Sequence, residues 1–65
     1  MNKRAQARSD ELPFRVVRSN SHDETLARCT NLPIAQAAYG TAARMYPDEL
    51  IELRQGARVI EKSRA

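Results

Sequence analysis

Sixty-five residues make one domain at most, and a chain this short buries only about 60% of its unfolded surface on folding, so a large enzyme core is excluded. Apolar residues are 42% of the chain, yet ten of them are alanine and only twelve are Leu, Ile, Val or Phe, which leaves material for a small, alanine-lined core. The net charge of +3 sits in Lys3, Arg4 and Arg8; residues 9–65 carry eight basic and eight acidic side chains and are neutral as a body.

Residues 1–12 read as a basic, disordered tail that makes at most weak, salt-sensitive contacts with polyanions, and residues 13–63 as the single domain. Phe14 to Ser19 is rich in β-branched and aromatic residues and runs into Asn20-Ser21-His22-Asp23, whose short polar side chains favour a turn. A strand is expected there, then a second over Thr25 to Thr30. With Asn20 opposing Asp23, Phe14 falls opposite Cys29, Arg15 opposite Arg28 and Val16 opposite Ala27.

Asn31 suits a helix cap and Pro33 the first turn, so a helix is expected from about Leu32 to Met45, stopped by Pro47. Ile34, Ala38, Thr41 and Met45, filled in by Ala37 and Ala42, form a thin apolar stripe expected to face the sheet. Glu49 to Arg54 and Ala57 to Ser63 flank Gln55-Gly56, a connection suited to a tight hairpin that sets Leu53 opposite Arg58 and Ile51 opposite Ile60. The expected fold is α+β in ββαββ order, a four-stranded antiparallel sheet with one helix packed on one face. The helix covers Phe14, Val16, Ala27, Cys29, Ile51, Leu53 and Ile60.

Residues 21–46 admit a second reading. Ser21-His22-Asp23-Glu24 matches a capping box, which makes 22–30 a helix. Leu26-Ala27-Arg28-Cys29-Thr30-Asn31-Leu32-Pro33 then resembles the first helix and turn of the helix-turn-helix in IclR-type regulators. That resemblance implies a recognition helix from Ile34 to Arg44, a wing over residues 49–63, and DNA contacts from Gln36, Thr41, Arg44, Arg54 and Arg58.

Catalysis has little to work with. A lone Cys29 and a lone His22 supply neither a disulfide nor a zinc ligand set, and two glycines make no phosphate cradle. No catalytic residue, metal or cofactor is expected. No stretch approaches the roughly 18 apolar residues of a membrane span and Met1 to Glu11 lacks a secretory apolar run, so a cytoplasmic protein is expected.

The feature that points to function is the sheet face turned away from the helix. In the register above it carries Val17, Leu26, Leu50 and Val59 among Arg15, Arg28, Arg54, Glu24, Glu52 and Glu61. An apolar patch rimmed by charge is the usual look of a contact surface. Arginine outnumbers lysine nine to two, which suits interfaces. The expectation is a non-enzymatic binding or regulatory module that uses this face, with Arg15, Val17, Leu26, Arg28, Leu50, Glu52, Arg54 and Val59 as its contact residues. A protein partner or a second copy is the first expectation for the ligand, and nucleic acid the second.

Overall fold

The computed structural model describes residues 12–20 and 22–64. The elements run β1 (Phe14–Ser19), β2 (Asp23–Cys29), α1 (Leu32–Met45), β3 (Leu50–Gln55) and β4 (Arg58–Lys62). The strands form one antiparallel sheet in the order β2-β1-β3-β4, and α1 packs across β1, β2 and β3 on one face. The ββαββ fold expected from the sequence is therefore the one that forms. Residues 23–29 are extended, so no helix-turn-helix is built, and Gln36, Thr41 and Arg44 lie exposed on α1. The expected basic tail, except for Leu12, lies outside the described residues.

Helix α1 begins where its cap requires. The Asn31 side-chain oxygen accepts from the Ile34 amide at 2.9 Å, and Pro33 occupies the first turn, where its missing donor costs nothing. The helix ends at Tyr46, ahead of Pro47. Its buried stripe differs from the expected one. Ala35 and Ala42 are buried, and Leu32, Ala38, Tyr39 and Tyr46 pack beside them against Val16, Cys29, Ile51 and Leu53. The reason is steric and energetic: alanines at 35 and 42 let the helix approach the sheet closely, while the two tyrosines add large apolar area. Ile34, Thr41 and Met45 stay exposed.

Both hairpins depart from the simple register through one extra residue each. In β1–β2 the pairs Phe14↔Cys29, Arg15↔Arg28 and Val16↔Ala27 hold as expected, but a bulge then brings Val17 opposite Thr25, Arg18 opposite Glu24 and Ser19 opposite Asp23. Leu26 is the unpaired residue, and it packs on the helix side, against the core. The bulge does three things together: it takes Leu26 out of water, sets Glu24 against Arg18, and places Asp23 on the face of Arg54.

In β3–β4 the turn is Gly56-Ala57, not Gln55-Gly56, because Gly56 has φ +60° and the first central position of a type II′ turn wants that freedom. Gln55 pairs with Arg58 and Arg54 with Val59, then a bulge leaves Ile60 unpaired on the core side and sets Leu53 opposite Glu61 and Glu52 opposite Lys62. This corrects the expected pairs Leu53 with Arg58 and Ile51 with Ile60. Without the bulge Glu52 would face Glu61; with it, Glu52 faces a cation.

The two glycines should respond to alanine with opposite signs. A Cβ at Gly40 would meet only Arg44 Nη1, at an ordinary 3.7 Å, so Gly40→Ala is expected to stabilise by about 0.5–1 kcal/mol. Gly56→Ala has open space but positive φ and is expected to destabilise by about 1–2 kcal/mol. Urea denaturation midpoints decide it, and a stabilising Gly56→Ala would contradict the turn.

Candidate functional site

On the face away from α1, β1 carries Arg15, Val17 and Ser19. Asp23, Thr25 and Arg28 lie opposite them on β2, and Arg54, Glu52 and Leu50 on β3. Val59 continues the row from Arg54 on β4. Six of the eight contact residues expected from the sequence are thus neighbours on this face in β1, β3 and β4, and Arg28 joins them from β2. Leu26 does not, because the bulge turns it to the helix side.

Val17 is on the expected face but is not in water: it is 0% exposed. Its cover comes from charged side chains. Arg54 on β3 pairs across from Arg15, while its guanidinium donates from Nη1 to Asp23 Oδ2 at 2.9 Å on β2, so it spans β1 at the level of Val17. Arg54 also donates from Nε to Glu52 Oε1 at 2.7 Å, and Arg15 donates to Thr25 Oγ1 at 3.2 Å. The long side chains shield the valine with their methylene stems while their heads stay paired. What remains of the expected apolar patch is partly buried Leu50 and Val59, which is 45% exposed.

The charges here are mostly matched within the molecule. Arg28, Arg15 and Arg54 form a row across three strands, but Arg54 is held between Asp23 and Glu52. Hydrogen bonds from Arg54 first, and then from the Ser19 hydroxyl, hold the Asp23 carboxyl below its ordinary 3.8. A lowered carboxylate pKa means the fold favours the ionised form. The contribution is therefore complete above the unfolded-state value and is lost as pH falls through it towards the lower folded value. Asp23→Asn is expected to flatten the fall of stability with acid below about pH 4; an unchanged acid slope in chemical denaturation would contradict the pairing.

On the helix side a second ion-pair group pins the end of α1. Arg18 donates to Glu24, faces Glu49 at 3.3 Å through Nε, and lies over the Tyr46 ring at 4.7 Å. Beside it opens an apolar groove of about 520 Å³ between α1 and β2. Its floor is Val16, Leu26 and Ala27; its helical wall is the stripe Ile34, Ala37, Ala38, Thr41 and Met45. Ile34 is 55% and Met45 63% exposed, so the two largest apolar side chains of that wall stand in water.

Sequence periodicity picks out these helix residues but assigns them to the core. The signal for a second surface is nonetheless there. Residues 32, 35, 39, 42 and 46 are apolar at alternating spacings of three and four, and so are 34, 38, 41 and 45 apart from the threonine, so one helix carries two apolar stripes about 100° apart. The sheet covers the first only.

Cys29 is buried at one end of β2 and His22 precedes the other end, a separation of roughly 20 Å along the strand. They do not meet. Among the described residues no group of three or more His, Cys, Asp or Glu is placed to hold a metal, and no helix is long and apolar enough to cross a membrane. No protein-family model, curated protein or solved structure matches the chain.

Proposed function

We propose that this chain is a small binding module without catalytic chemistry of its own, and that it works through protein contacts made at the groove between α1 and β2. The observation behind the reading is the second apolar stripe of α1. A helix lying on a sheet ordinarily turns a charged face to water, whereas Arg44 is the only charged residue in α1. Exposed Ile34 and Met45 flank small residues above a floor of Leu26 and Ala27, which is the form of a surface that closes against another chain. The sequence points to the opposite face, but there Val17 is shielded and the arginine at its centre is already paired.

Photo-crosslinking in cells tests this. A photoreactive residue at position 34 is expected to give discrete protein adducts, and the same residue at position 59, on the far face, few or none. A folded position-34 variant that forms no adduct, or adducts that form equally at position 59, would overturn the groove as the contact surface.

A further inference from the structure

We infer that the groove is closed by a second copy of this chain, with the two α1 helices antiparallel about a twofold axis. This rests on the reading of the groove as a protein contact and names its partner. The exposed stripe is complementary to itself. Ile34 and Met45 are equally distant from the midpoint between residues 39 and 40, and Ala38 and Thr41 are equally distant from it too. In an antiparallel pair the bulky Ile34 of one copy meets the bulky Met45 of the other at both ends. The small Ala37, Ala38 and Thr41 meet in the middle, where they let the helices approach.

Strand β2 is at the edge of the sheet beside this stripe. Leu26 and Ala27 of β2 line the groove together with Ala37, Ala38 and Thr41, the residues around the helix midpoint. Of the charges on β2, Glu24 lies on the helix side and is held by Arg18, and Arg28 lies on the far face, so the seam itself is apolar. Antiparallel helices also oppose their dipoles favourably.

The eleven residues ahead of Leu12 do not suit the groove: Met1 is their only large apolar side chain, and Lys3, Arg4 and Arg8 would bring charge into an apolar seam. A 14-residue helix is about 21 Å long and about 10 Å across, so each copy buries on the order of 200 Å², roughly a quarter of the roughly 800 Å² per partner in a standard interface. The dimer is accordingly expected to be weak, with a dissociation constant of about 100 μM or more.

Sedimentation equilibrium of the full chain, from about 10 μM to about 1 mM, reads this directly. Wild type is expected to pass from monomer to dimer across that range. Ile34→Glu and Met45→Lys, each at an already exposed position, are each expected to weaken dimerisation at least about tenfold, with circular dichroism unchanged. Combining Ile34→Glu with Met45→Lys in one chain sets the new carboxylate of each copy against the new ammonium of the other at both ends, and is expected to regain dimerisation lost by either single change. Within one helix those positions are about 16 Å apart along the axis, so the rescue acts only between copies. A wild-type monomer throughout the range, a dimer indifferent to both single variants, or a double variant no better than the singles would each overturn the inference. Should dimerisation fail while position 34 still cross-links to a different protein, the binding-module reading stands without it.

Discussion

Leu53→Ala is expected to leave much of the chain unfolded at room temperature. Leu53 is fully buried in the middle of β3, among Val16, Ile51 and the helix. Truncating such a leucine costs about 2–5 kcal/mol, in lost transfer free energy and in the cavity left behind. A domain of this size without an internal disulfide holds about 3–5 kcal/mol in total. The two figures overlap, so one side chain decides whether the chain folds. Ile34→Ala is the control, because at 55% exposure its loss should stay within about 0.5 kcal/mol. Urea titrations followed by circular dichroism compare them; a Leu53→Ala midpoint no lower than that of Ile34→Ala would contradict the core described above.

Arg54→Ala is expected to cost about 2 kcal/mol, more than any other charge removal in the molecule. Its side chain is 17% exposed and that of Glu52 12%, so removing the guanidinium strands a carboxylate with little water to turn to. The shield over Val17 also opens, and some of that valine's burial is lost. Asp23 is 49% exposed and recovers hydration. Double-mutant cycles should therefore give a larger coupling between Arg54 and Glu52 than between Arg54 and Asp23. Equal couplings, or a loss for Arg54→Ala no greater than for Arg28→Ala, would mean that the bridge contributes little.

The fold is legible in the sequence because its punctuation is local. Asn31 and Pro33 start the helix, Pro47 follows its end, and Gly56 marks the second turn, each through a local property of that residue alone. The two bulges are not legible, since each is chosen by contacts across strands. Leu26 leaves the ladder because the core, Arg18 and Arg54 all gain when it does, and Ile60 because Glu52 would otherwise face Glu61. A one-residue slip exchanges the faces of everything beyond it. That is why Glu24 and Glu61, expected beside the arginines, share the helix side with Arg18 and Leu53. The helix stripe is misassigned for a related reason. Two apolar stripes are written into residues 32–46, and periodicity alone does not say which of them the sheet takes; the tyrosines at 39 and 46 settle it by the area they add.

The bulges at Leu26 and Ile60 lie on β2 and β4, the two outermost strands. Each interrupts the straight row of free amides and carbonyls that a neighbouring molecule would need to extend the sheet sideways. Asp23, Glu24 and Arg28 on one border, and Arg58, Glu61 and Lys62 on the other, add charge along the same lines. Lateral growth into fibres is thereby obstructed at both borders, so solutions concentrated enough to populate a weak pair should stay clear rather than gel.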